Sequence, residues 1–398
     1  MYARGVTRTH RVHRPATDRA PAFSLAYARS GPRSSTPLVV IPGGPGLASI
    51  RPYRALRRRA ARGGLDVIMI EHRGVGHSRA DAAGRPLPHS AMWVSDVIDD
   101  IAAVLDHENV RSAFIVGSSY GTYLASSFAA THADRVSGMI LDSALQSTSD
   151  LALERARIRE LFWDADTDIA RSVRRLAESG RGGHHFLEVI RAAFELGGDD
   201  LLRPLLAARL AGRRSGAWKA LELYAGRGES IARIPYIYEF EIAGAIGFRE
   251  LDYGAAPDGH PLDPAGTYAR LAHRFPPFER EPLELLQEMR SFAWPVVILI
   301  GSRDLRTPPA AARRVAERIP DATIVDIENG HSALDTHPAV LLNAMRQLAS
   351  GTPHRLAVLA PRLDRLRRPG LAGLLPRALL AMTRWETALG RSRERRSR

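Results

Sequence analysis

Six short apolar runs, each ending in glycine or a polar turn, punctuate the chain: PLVVIPGG (37–44), LDVIMIEHRG (65–74), SAFIVGSS (112–119), VSGMILDSAL (136–145), WPVVILIGSRD (294–304) and ATIVDIENGH (322–331). Near-continuous apolar runs of this length fit strands buried on both faces, as in a parallel sheet. Between the second and third runs, SAMWVSDVIDDIAAVLDHENV repeats apolar residues at helical spacing. A second helix is expected to start just after Ser119, on YGTYLA. Strand, helix and strand in alternation predict an α/β fold: a mostly parallel sheet with helices on both faces.

The alternation lapses between residues 147 and 292. This interval is rich in helix formers and arginine, broken by SGRGGHH, ELGGDD and AGRRSG, and has no strand-like pattern. It reads as a helical cap inserted between two strands of one sheet. The core is then 1–146 with 293–352, and a separate tail covers 353–398. Apolar residues of the tail recur at intervals of three and four, which predicts one or two amphipathic helices docked on the protein before a disordered basic end.

Composition changes this picture little. The 398 residues contain no cysteine, so disulfides, thiolate metal sites and a cysteine nucleophile are excluded. No apolar run approaches the ~18 residues of a membrane span. The arginine-rich N-terminus lacks the apolar segment of a secretory signal, which makes a cytoplasmic protein the plain expectation. The formal net charge is +13, but twelve arginines against Asp364, Glu386 and Glu394 place most of that excess after residue 353. Lys219 is the single lysine, and no basic groove interleaved with stacking aromatics is visible. Nucleic acid is therefore not the expected partner, nor is stable membrane insertion.

GSSYGT (117–122) carries the chemistry. Gly-x-Ser-x-Gly between a strand and a helix describes a sharp turn that holds a serine out of the sheet as a nucleophile. Residues two before and two after that serine must be small for strand and helix to pass. Gly117 and Gly121 bracket Ser119, not Ser118, so Ser119 is the candidate nucleophile and Ser118 a small spacer. A serine hydroxyl needs a base, and the base needs an orienting acid. Asp304 ends the fifth apolar run and His331 follows the sixth, in the order serine, acid, histidine. Asp335 and His337 lie past that loop, and His72 and His77 precede the nucleophile. Two backbone amides should hold the oxyanion: Tyr120, after the nucleophile, and Gly44 of IPGGPGLAS (41–49), with Gly43 beside it. That glycine loop lacks the lysine and Ser/Thr of a phosphate loop.

PGGPG (42–46), EHRGVGHS (71–78), GSSYGT, GSRDLRTPP (301–309) and NGHSA (329–333) together resemble the proline iminopeptidase and tripeptidyl-aminopeptidase branch of the α/β-hydrolases. The match covers about 20–145 and 293–350. Pro42 stands where that branch usually has histidine, and Glu71-His72 where it has Asp-Gln. The resemblance implies an α/β-hydrolase fold and release of N-terminal proline or short peptides through an acyl-enzyme, without metal or organic cofactor. Carboxylesterase or other small-molecule hydrolase activity is the alternative, since such enzymes share most of these motifs. Cap carboxylates in this branch bind the substrate's free amine, and AIGFRE (245–250) is similar to its cap motif. Glu250 and then Glu241 are the candidates, among Tyr236, Tyr238, Phe240 and Phe248. A serine at the elbow disfavours dehalogenase and epoxide hydrolase chemistry, which need aspartate there.

Overall fold

The computed structural model describes residues 9–183, 185–213, 215–225 and 234–396. Eight strands form one sheet in the order β1-β2-β4-β3-β5-β6-β7-β8. They are β1 (His10–Arg14), β2 (Phe23–Ser30), β3 (Leu38–Ile41), β4 (Val67–Glu71), β5 (Ala113–Ser118), β6 (Val136–Asp142), β7 (Val296–Gly301) and β8 (Ala322–Ile327). Strands β4, β3 and β5 to β8 run parallel and correspond to the six apolar runs. The antiparallel edge pair β1–β2 was not expected. β1 reads His-Arg-Val-His-Arg and is nowhere buried, so no apolar run announces it.

Helices cover both faces. On one lie α1 (Arg54–Arg62), α10 (Pro338–Ala349) and α11 (Arg355–Leu363), around Val40, Met69, Val116, Ile140 and Leu299. On the other lie α2 (Val94–His107) and α3 (Tyr120–Thr131). In α2, Val94, Val97, Ile98, Ile101, Val104 and Leu105 form the buried stripe that the helical period creates. Helix α3 is buried from Tyr120 to Ala129 and therefore shows no amphipathic period.

Between β6 and β7 the described residues include the helices α4 (Asp150–Arg159), α5 (Asp168–Glu178), α6 (Phe186–Leu210), α7 (Gly216–Ala225) and α8 (Phe240–Leu251). α6 breaks at Gly198, whose φ of 59° is outside helical space. This cap has its own apolar cluster, built on Phe162, Val173, Ile190, Leu202 and Trp218, and one residue from the β7 edge, Leu305, is buried within it. After β7 come α9 (Pro309–Ala316) and, beyond α11, a long tail helix α12 (Leu371–Arg396) that docks on the cap through Leu379. Because α12 reaches Arg396, only 397–398 remain for the expected disordered end, and those lie outside the described residues, as does His184 of SGRGGHH.

Candidate active site

Ser119 sits between β5 and α3 with φ 54° and ψ −126°. A non-glycine residue rarely adopts this conformation, and it persists only where surroundings over-determine it. The glycines show how. A Cβ on Gly117 would lie 2.4 Å from the Gly121 carbonyl oxygen, and one on Gly121 would lie 2.2 Å from that of Ile41. Strand, helix and the β3 loop thus pass at backbone distance, and no side chain fits at either position. The Ser119 amide donates to the Asp142 carbonyl at 2.8 Å, which ties the turn to β6.

The structure brings Ser119, His331 and Asp304 together. His331 Nε2 lies 2.7 Å from Ser119 Oγ, and its Nδ1 lies 3.0 Å from both carboxylate oxygens of Asp304. Asp304 is buried and also accepts from the amides of Arg306 and Thr307 and from the Thr307 hydroxyl. Burial alone would raise its pKa, but the His331 charge and these donors hold it below the usual carboxylate range. Burial likewise works against the His331 imidazolium. Asp304 outweighs that, with Glu195 adding to it and Arg306 opposing, so the His331 pKa is raised. Ser119 and His331 keep partial exposure, which leaves the pair reachable.

A second hydrogen-bond network holds the histidine loop. Asp142, at the end of β6, accepts from the Ala333 and Leu334 amides and from the Ser118 hydroxyl. Ser118 Oγ is also 2.8 Å from Ser332 Oγ, and the Ser332 amide donates to Ser143 Oγ. Ser118 is therefore more than a small spacer: it links β5, β6 and the loop after His331. Burial pushes the Asp142 carboxyl up to about 6 despite these donors.

On the opposite side of Ser119 lies the glycine loop. A Cβ on Gly43 would sit 3.0 Å from Ser119 Cβ and 3.6 Å from its Oγ, so any side chain there would press on the hydroxyl. Gly44 has φ +129°, a region that favours glycine. Among the described residues, the amides of Gly44 and Tyr120 donate to no protein acceptor. The nearby EHRGVGHS stretch is structural. Glu71 accepts from the Ile50 and His77 amides and pairs with His77 Nδ1, while Arg73 binds Asp100 through two hydrogen bonds. Burial pulls His72 down to about 4, leaving it neutral.

The two candidate cap glutamates have partners outside the triad. Glu250 is buried against the start of α2, where it accepts from the Val94 amide, and desolvation raises it to about 7. Glu241 pairs with Arg274 at the surface. Phe240 and Phe248 join Phe275, Tyr253 and Tyr268 in an aromatic cluster, with the Phe248 and Phe275 rings stacked at 4.3 Å. Tyr238 stacks at its edge on Phe240, and Tyr236 lies against His77.

Other cap carboxylates approach the site, and the sequence reading missed them. Glu195 of α6 accepts from the Leu305 amide, next to Asp304. Its backbone presses on the loop before His331, since a Cβ on Gly330 would meet the Glu195 carbonyl oxygen at 2.7 Å. Arg306 lies 3.8 Å from Glu195 and 3.6 Å from Glu188, and Arg191 is 2.9 Å from Glu154. Arg191 and Arg306 outweigh burial at Glu188, holding it at about 2; burial prevails at Glu154, raised to about 7. Three carboxylates and two guanidiniums thus form a nearly self-neutralised cluster beside the triad. In sequence Glu154, Glu188, Arg191 and Glu195 are ordinary members of helices and Arg306 lies in the loop after β7, so only separation by whole helical turns, as at Glu188 and Glu195, hinted at a shared face.

A serine, a histidine and an aspartate joined by hydrogen bonds at the C-terminal edge of a parallel sheet, with two nearby amides that donate to no protein acceptor among the described residues, define a site suited to acyl transfer. The chain belongs to the alpha/beta hydrolase fold family, which it matches over residues 36–338. It is 30% identical over 307 residues to rhodomycin D methylesterase DauP of Streptomyces sp. (strain C5), covering 76% of this chain and 87% of that one. Likeness to a probable proline iminopeptidase of Leptolyngbya boryana is local: 31% identity over 118 residues, 30% of this chain and 34% of the relative. The solved proline iminopeptidase of Mycobacterium smegmatis shares the fold, with a TM-score of 0.52 and 15% identity over 88% of this chain and 100% of that one. The resemblance read from the motifs thus holds at the level of the α/β-hydrolases, and among these relatives the sequence similarity that extends over most of both chains is to a methylesterase.

Proposed function

We propose that this protein is a serine carboxylesterase acting on a small or medium-sized ester. Ser119 Oγ attacks the ester carbonyl while His331 Nε2 takes its proton, and Asp304 keeps the imidazole oriented and stabilises its charge. The Gly44 and Tyr120 amides receive the oxyanion; losing one such donor typically costs ~3 kcal/mol of barrier. The carbon–oxygen bond breaks, His331 protonates the departing alcohol, and an acyl-Ser119 remains. Water then attacks, giving its proton to His331, and the carboxylic acid leaves as Ser119 regains its hydrogen. None of these steps needs a cofactor.

The observation that carries this reading is the 2.7 Å contact between His331 Nε2 and the strained Ser119. Ester rather than peptide is favoured by the cap. An ammonium-binding site needs uncompensated carboxylate, yet Glu250 bonds the α2 amide, Glu241 meets Arg274, and the cluster beside the triad already contains Arg191 and Arg306. The full-length similarity to a methylesterase supports the same choice.

Aminopeptidase action is the second reading, kept by the excess of one carboxylate in the cluster of Glu154, Glu188 and Glu195. Turnover of methyl and nitrophenyl esters of aromatic acids, set against prolyl and alanyl arylamides and their N-acetylated forms, separates the two. Ester cleavage at least a hundredfold faster than arylamide cleavage is expected. Arylamide cleavage that dominates and is lost on N-acetylation would overturn the esterase reading.

A further inference from the structure

Helix α12 presents two chemically different faces. Inward, Leu375, Leu379, Leu380 and Met382 pack on the cap's apolar cluster. Outward, Leu374, Arg377, Ala378, Ala381, Arg384 and Trp385 are exposed at intervals of three and four, so they share one stripe. Leu374 is 63% exposed and Trp385 65%, the latter among the most exposed large apolar side chains of the molecule. From Leu374 to Trp385 the stripe runs ~17 Å along the helix.

The charge on this stripe has one sign. The tail acids whose side chains are described, Asp364 and Glu386, both turn inward: Asp364 accepts from the Glu328 amide, and Glu386 accepts from the Ser215 hydroxyl and the Gly216 amide. Arg377 and Arg384 have no carboxylate partner among the described residues. Glu386 and the inward apolar side chains thus anchor the helix, leaving tryptophan, leucine and unpaired arginines to face water.

We propose that this face docks the protein on an anionic lipid surface, with α12 lying in the plane of the interface. Trp385 and Leu374 would sit at the boundary of headgroups and acyl chains, and Arg377 and Arg384 would meet lipid phosphates. Charge complementarity selects this occupant. A second copy would bring arginine against arginine, and a nucleic acid offers no apolar layer for Leu374. No helix among the described residues is long and apolar enough to cross a membrane, so the attachment is peripheral. α12 rests on α6, the helix that carries Glu195 to the triad, so docking would set the cap beside the lipid surface.

Flotation of the full-length protein with vesicles of phosphatidylglycerol mixed into phosphatidylcholine, against phosphatidylcholine alone, tests this. Binding to the anionic vesicles is expected, lost at high salt, and accompanied by a blue shift of tryptophan emission. Trp385→Ser should weaken it about tenfold and abolish most of the shift. Arg377→Gln and Arg384→Gln should each weaken it about fivefold. All three positions are exposed, so unchanged thermal midpoints should accompany these losses. Absence of vesicle binding, or binding that Trp385→Ser leaves intact, overturns the proposal. So does equal binding to duplex DNA insensitive to Trp385→Ser, which marks a general polycation. A dimer that dissociates on Trp385→Ser would assign the stripe to a contact between copies instead.

Discussion

The C-terminal edge of the sheet and the helical cap meet at the same site but hold their polar groups in opposite ways. At the sheet edge each group is fixed from several directions: Ser119 by three backbone segments, Asp304 by four donors, Asp142 by two amides and a hydroxyl. The cap touches this machinery at two places. Glu195 and Leu305 clamp the acid and histidine loops, and on the other side the Ala48 amide donates to the Ile237 carbonyl and the Glu239 amide to that of Gly46, pinning the glycine loop. The cap charges beside the triad instead sit in a cluster of mutually compensating ions, paired chiefly with other side chains.

That contrast can be broken most sharply at the edge. Ser119→Ala should lower kcat by about 10⁴-fold or more while the thermal midpoint holds, because the variant loses only a hydroxyl. Near-normal turnover would remove Ser119 from the chemistry. Gly121→Ala should fail to fold or lose several kcal/mol, since its Cβ would fall 2.2 Å from the Ile41 carbonyl oxygen, far inside van der Waals contact. Denaturant unfolding measures this, and a stable, active variant would show that the elbow is looser than described.

At the cap the effects should be smaller and should depend on pH. His331 must be neutral to accept the serine proton, and its pKa lies above the ordinary 6.5, so kcat/KM should rise with pH through a value above 6.5. The stability of the His331–Asp304 pair runs the other way. From the raised histidine it is fully present below 6.5 and is lost as pH rises through the folded value. Glu195→Gln keeps an acceptor for the Leu305 amide but removes a charge that favours the imidazolium. The rising limb should therefore move to lower pH, with kcat reduced no more than about tenfold. A purely structural role would leave the limb where it is.

The smallest change is expected at Glu250. Its folded pKa, about 7, exceeds that of a free glutamate, so ionisation costs stability as pH rises through that value. Glu250→Gln should raise the thermal midpoint at pH 8, by about 1–3 kcal/mol of stability, and change little at pH 4. Ester turnover should be nearly unaffected. A large loss of arylamide turnover on this substitution would return Glu250 to substrate binding.

Much of the sheet was legible because parallel strands are buried on both faces and announce themselves as apolar runs. β1 escaped because it is nowhere fully buried and its half-buried positions are His10, Val12 and Arg14, which make no apolar run. GSSYGT pointed to Ser119 through sterics that act within five residues, and the order of GSRD and NGH along the chain indicated which acid and histidine could follow. Ser118, by contrast, looked like filler, because its partners Asp142 and Ser332 are distant in sequence. The glutamates around AIGFRE drew attention through local pattern, yet the structure turns Glu250 toward α2 and brings Glu195, from an unremarkable stretch of α6, to the loops of Asp304 and His331 instead.

The sequence by itself determined the alternating fold, the position of the elbow and the chemical types that meet there. Each is decided by short-range sterics or by the burial pattern of a single element. Which cap carboxylates reach the site, how the arginines neutralise them, and which face of the tail helix is left to solvent were decided only by tertiary structure. Helical period says which residues share a face, but docking against other helices decides where that face points.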